Sequence, residues 1–106
     1  MERTIKAILI DSGNKTVTEI EVIPKLESYY KLIDCDMIEA CCQDIISNNS
    51  FIYVDEEGLY KQDSEFHVKG AHQPFMGNGV LLCLSDDGED EDINITVEHA
   101  KAFISF

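Results

Sequence analysis

Apolar residues recur at every second position near the start of the chain, with Ile5, Ala7 and Leu9 on one face and Lys6 on the other. The stretches Thr4 to Ile10 and Lys15 to Ile23 are rich in Ile, Val and Thr, and they flank Asp11, Ser12, Gly13 and Asn14, residues that tolerate the positive φ of tight turns. The pattern predicts an antiparallel hairpin in a sheet with one covered side. Pro24 ends the second arm. After it Leu26, Tyr29, Tyr30 and Ile33 fall at i, i+3, i+4 and i+7, the stripe of a helix packed on a core.

Met37 to Ile46 alternates loosely, Ile38, Ala40 and Cys42 against Glu39, Cys41 and Gln43, which predicts a strand although its Glu and Ala content also permits a helix. Ser47 to Ser50 reads as a loop. Phe51 to Val54, then Asp55 to Gly58, then Leu59 and Tyr60 read as a second hairpin with glycine at the tight position. From Lys61 to Gly79 the periodicity fades, and Gly70, Pro74, Gly77 and Gly79 punctuate an irregular segment. Val80 to Leu84 suits a buried strand and Ile93 to Ile95 a shorter one. Thr96 stands where it would cap a terminal helix whose Val97, Ala100 and Ile104 face inward. Without a repeat or linker, residues 1–106 form one domain of the α+β class, a mainly antiparallel sheet with about two helices packed on it.

Charge changes this picture more than composition does. The chain carries 21 Asp and Glu against 8 Lys and Arg, a formal charge of -13, and such a field repels a phosphate backbone at long range. Direct DNA or RNA binding is disfavoured, whereas a basic protein partner would be attracted; solubility alone is the plainer reading. The run Asp86 to Asp92, acidic at every position but Gly88, reads as a solvated loop. No charged-then-apolar leader opens the sequence and no apolar run reaches the roughly 20 residues that span a bilayer, so a cytoplasmic protein without a membrane partner is expected. Cys35, Cys41, Cys42 and Cys83 lack the spacing of a secreted disulfide scaffold and read as reduced, partly buried thiols.

Chemistry-bearing patterns are sparse. There is no Gly-x-Ser-x-Gly elbow, and no cysteine stands in a nucleophile's context, so no catalytic residue is assigned. His67, His72 and His99 with the four cysteines lack paired Cys-x2-Cys ligands, and the acidic runs lack the alternating spacing of a calcium loop; neither a metal nor a cofactor is implied. The segment best suited to a ligand is Met76-Gly77-Asn78-Gly79, because two glycines admit a close backbone approach and Asn78 offers both a donor and an acceptor. A structural turn explains the same residues. Phe66 and Phe75 nearby are able to stack a purine or to fill a core.

The order of the segments "YYKLIDCDMIEA", "IYVDEEGLY", "FMGNGVLLCL" and "ITVEHAKAFI", behind an N-terminal hairpin, resembles a family of small phage and bacterial proteins labelled as a domain of unknown function. The resemblance includes Thoeris anti-defence sponges, which sequester cyclic ADP-ribose isomers or cyclic oligonucleotides without chemistry. It implies a homo-oligomer, a dimer or higher, that takes a small-molecule cyclic nucleotide. It places ligand contacts at Asn78 and Phe66, with Asp55 and Glu56 as further candidates. The sequence holds a single arginine, Arg3, so phosphate recognition would fall to Arg3, to Lys25, Lys31, Lys61, Lys69 and Lys101, or to backbone N–H groups around Gly77 and Gly79. The sponge ranks first among the functional expectations. The alternative is an acidic protein-binding inhibitor, such as an anti-CRISPR protein blocking a basic nucleic-acid channel, and the third is an assembly module without a ligand.

Overall fold

The computed structural model describes residues 3–106. Along the chain run β1 (Ile5–Asp11), β2 (Thr16–Val22), α1 (Leu26–Ile33), β3 (Ile38–Cys41), β4 (Ser50–Asp55), α2 (Gly58–Lys61), β5 (Glu65–Val68), β6 (Phe75–Met76), β7 (Gly79–Leu84), β8 (Asp90–Glu91), α3 (Val97–Lys101) and β9 (Ile104–Ser105). The fold is α+β and mainly sheet. The main sheet has the order β2-β1-β7-β4-β3, with β8 pairing β7, and a smaller sheet has the order β6-β5-β9. All the pairings are antiparallel.

Strand parity sorts the core into two layers. Ile5, Ala7, Phe51, Val80 and Leu82 meet Tyr29 and Ile33 of α1 on one face. Ile8, Ile10, Ile52, Val54, Leu81 and Cys83 meet Phe66 and Val68 of β5 and Ala100 of α3 on the other. The expected hairpin forms, with Ile5 opposite Val22 and Asp11 opposite Thr16, but its sheet is covered on both sides, because Ile8 and Ile10 bury as completely as Ala7. The turn is held by the Asp11 carboxylate, which accepts from Asn14 N at 3.1 Å and from Asn14 Nδ2 at 2.9 Å. Its positive φ, 57°, falls on Lys15 rather than on the expected turn residues. The helix after Pro24 forms, but of its predicted stripe only Tyr29 and Ile33 are buried, Tyr30 is half-buried and Leu26 is exposed. It ends at Asp34, whose left-handed backbone lets Cys35 N reach the Tyr30 carbonyl at 3.1 Å.

Six expectations are corrected. The Met37 to Ile46 strand stops at Cys41, because Cys42 and Asp44 take positive φ and the chain turns back into β4. The second hairpin is absent: β4 already has β3 and β7 as neighbours, and the chain beyond Asp55 winds into the one-turn α2. The segment from Lys61 to Gly79 is less irregular than its composition suggests, since Phe66 and Val68 alternate with Glu65 and His67 in β5. The acidic run is only partly a free loop, because Asp90 and Glu91 pair with Leu84 and Cys83. Ile93 to Ile95 is not a strand; Ile93 is buried and its N–H reaches the Lys6 carbonyl at 2.9 Å. At the end of the chain Thr96 does cap α3, its hydroxyl accepting from His99 N at 3.1 Å, but Ile104 belongs to β9 opposite Val68. All four cysteines are free thiols. Among the described residues no helix is long and apolar enough to cross a membrane.

Gly79 opens the central strand where there is no room for a side chain. A Cβ there would lie 2.8 Å from the Phe66 ring and 2.9 Å from Ile52 Cγ2. Overpacking of this kind costs about 1–3 kcal/mol. Urea unfolding of Gly79→Ala should show a loss in that range, and a Phe66→Leu background should shrink it; an unchanged midpoint would contradict this packing.

Candidate functional site

A groove of about 250 Å³ lies where the end of β4, α2 and β6 meet, and Glu39, Asp55, Glu56, Leu59, Pro74 and Phe75 are among its lining residues. Gln62 reaches from the end of α2 to the Asp55 carboxylate at 3.0 Å and to the Asp34 carbonyl at 3.1 Å, which ties α2 to the end of α1. Asp55 is buried, and its other oxygen accepts from Glu57 N at 2.9 Å. Both Asp55 oxygens thus have partners, a condition for keeping a carboxylate out of water. Glu39 and Glu56 are exposed at the groove.

Phe75, Asp55 and Glu56 are brought together here by the fold. Phe66 lies behind them, fully buried, its ring centroid 5.6 Å from that of Phe75, so Phe75 is the aromatic ring left at the groove. The Gly77 to Gly79 segment turns inward. Gly77, at φ 87°, donates from N to the Ser64 carbonyl at 2.7 Å, and its own carbonyl accepts from Ser12 Oγ at 2.6 Å. Asn78 accepts from Ser12 N at 3.1 Å and donates from Nδ2 to the Leu32 carbonyl at 3.2 Å. Its amide therefore joins the first hairpin to α1, and Gly79 pairs with Ile10 within the sheet. Arg3 stands apart, in a cleft of about 490 Å³ with Pro24, Lys25, Glu89 and Asp90, where its Nη2 donates to the Asp90 carbonyl at 2.6 Å.

Two features escaped sequence reasoning. Leu59 and Tyr60 on α2 are 77% and 88% exposed, although a hairpin arm would have buried one of them. Asp90, inside the acidic run, accepts from Tyr29 Oη at 2.7 Å and from Tyr53 Oη at 3.1 Å. Nothing in the local pattern separates Asp90 from its acidic neighbours; only its pairing with Leu84 does.

The electrostatics around α2 are negative. Lys61 lies 3.7 Å from both the Asp36 and the Glu57 carboxylates. Partial desolvation pulls its ammonium down, but Asp55, Asp36 and Glu57 more than offset this and hold it above its ordinary value. Burial, followed by the Asp55 charge, pushes the neighbouring Cys35 thiol up to about 11. Burial and Asp90 also raise Tyr29 and Tyr53. Among the described residues no group of three or more His, Cys, Asp and Glu is placed to hold a metal ion.

A family model described as a domain of unknown function, DUF3846, matches residues 5–105, and the chain belongs to that family. No curated protein and no solved structure matches it.

Removing the Asn78 amide strands its partners on Ser12 and Leu32, and Asn78→Ala should lose about 1–3 kcal/mol in urea unfolding. A neutral effect would release Asn78 from this structural role. The raised thiol and phenols fix the sign of an alkaline limb: their contribution is complete below the unfolded values, 9.0 for Cys35 and 10.0 for the tyrosines, because neither state is then ionised. It is lost as pH climbs from there towards the folded values, since the unfolded chain ionises first. Stability should fall from pH 9.0 upwards, less steeply in Tyr29→Phe; a flat profile would contradict the assignment.

Proposed function

We propose that this member of the family is a non-catalytic binding protein whose α2 face docks a basic partner, in the manner of an inhibitor that occupies the nucleic-acid channel of an enzyme such as a CRISPR effector. The observation that carries this reading is the exposure of Leu59 and Tyr60, 77% and 88%, beside Glu39, Glu56 and Glu57. Tyrosine is enriched among residues that dominate interface energies, and a rim of carboxylates selects a partner rich in Lys and Arg and speeds its approach. Lys61 does not reverse the local sign, being shared by Asp36 and Glu57. The net charge of -13 acts in the same direction at long range.

The cyclic-nucleotide sponge is the second reading. It is favoured by the convergence of Phe75, Asp55 and Glu56 on one groove, where Phe75 would take an adenine and the exposed Glu56 and Glu39 would accept ribose hydroxyls. Its homo-oligomer would use the outer edge of β3, which ends the main sheet. It ranks second because the polar groups of Asn78 and Gly77 are engaged within the fold and the groove is lined by carboxylates, which repel phosphate.

DNA cleavage by a panel of CRISPR effector nucleases, run with and without the protein, tests the first reading. We expect inhibition of at least one effector, weakened by roughly tenfold or more in Leu59→Ser/Tyr60→Ala and weaker still when salt rises several-fold above about 0.1 M. Inhibition equal in wild type and variant would refute docking through α2. Titration calorimetry with cyclic ADP-ribose isomers and cyclic di- and trinucleotides tests the second reading; binding that Phe75→Ala abolishes would put the sponge first.

A further inference from the structure

The main sheet ends in β3 on one side, where Glu39 lines the acidic groove, and in β2 on the other. At the β2 end a second groove, of about 330 Å³, is lined by Lys15, Thr16, Thr18, Lys101, Ile104 and Phe106, with Val17 at its base in the core. No carboxylate side chain lines it, although acids outnumber bases 21 to 8 along the chain. Two of those eight bases thus meet around one concavity.

We propose that this groove binds a small phosphate-bearing ligand with a planar or apolar body, of the nucleoside-phosphate class. The two ammonium groups supply donors for phosphate oxygens, while Ile104 and the partly exposed Phe106 offer an apolar surface for the body of the ligand. Both lysines stand on anchored backbone. Lys15, at φ 57°, closes the turn that Asp11 locks through Asn14, and Lys101 ends α3, which Thr96 caps and the fully buried Ala100 seats in the core. Lys101 has a neighbour in Glu98 at 3.7 Å, but that carboxylate is 85% exposed, and a pair so open to solvent is weak and readily exchanged for a phosphate. Glu19 and Glu21, exposed further along β2, and the overall charge oppose an anion at long range, so binding should be of the weak-to-moderate kind that local contacts sustain. The site depends on neither functional reading above, since it lies at the opposite end of the sheet from α2.

Two-dimensional amide NMR with 5′-AMP as the probe, and with adenosine and inorganic phosphate as separate arms, tests the proposal on the full chain. We expect saturable shifts at residues 15–18 and 101–106 with 5′-AMP, smaller ones with phosphate, and the weakest with adenosine. Affinity for 5′-AMP should fall at least tenfold, about 1.4 kcal/mol, in Lys15→Gln/Lys101→Gln. Both side chains are exposed, so that variant should keep a native spectrum; a paired Lys6→Gln/Lys69→Gln control should bind as wild type does, as should Leu59→Ser/Tyr60→Ala. Shifts that map to the Arg3 and Lys25 cleft instead, equal affinity in the Gln pair, or no saturable shift up to about 10 mM, near the limit of meaningful affinity, would overturn it.

Discussion

The main sheet is apolar on both faces, and this one constraint shapes the rest of the molecule. In β7, Val80 and Leu82 point to one layer and Leu81 and Cys83 to the other, all of them buried. A strand of that composition needs cover above and below. Helix α1 supplies one cover through Tyr29 and Ile33. The other is assembled from pieces too short to fold alone: β5, β6, β9 and the single-turn α3. The segments around them remain short because a chain of 106 residues must spend most of its apolar side chains on two layers.

Polar ties hold the layers in register. Asn78, Ser12, Gly77 and Ser64 form one cluster, in which Ser12 Oγ lies 2.7 Å from Ser64 Oγ and 2.6 Å from the Gly77 carbonyl. It links the first hairpin, the end of α1 and the approach to β7. A second cluster gathers the Tyr29 and Tyr53 hydroxyls on Asp90 and brings the acidic run back against the helix-covered face. Both clusters satisfy buried polar groups while fixing direction, which apolar packing alone does poorly.

The elements with a strong local rhythm were legible in the sequence: the first hairpin, α1, the Val80 to Leu84 strand and the Thr96 cap. What was not legible depended on contacts far apart in the chain. Ile8 and Ile10 could be placed in a core only once a second covering layer existed, and that layer lies in the stretch whose glycines and proline hid the alternation of Phe66 and Val68. The candidate site was partly legible for the same reason. Phe75, Asp55 and Glu56 do share a groove, whereas Asn78, chosen for its hydrogen-bonding capacity, uses that capacity inside the fold. Leu59 and Tyr60 were misplaced because a hairpin was expected where β4 already has two neighbours.

These placements give the charge a direction as well as a sign. Carboxylates crowd the β3 end beside α2, whereas the groove at the β2 end is lined by Lys15 and Lys101 and by no carboxylate side chain. The exposed Leu59 and Tyr60 then set an apolar patch within the negative end. The most direct test of the proposed docking is hydrogen–deuterium exchange of the protein with and without an effector nuclease for which the cleavage assay detects inhibition. The account predicts protection concentrated at residues 56–61 and 73–76; protection confined to the acidic run at residues 86–92, with α2 unchanged, would contradict it.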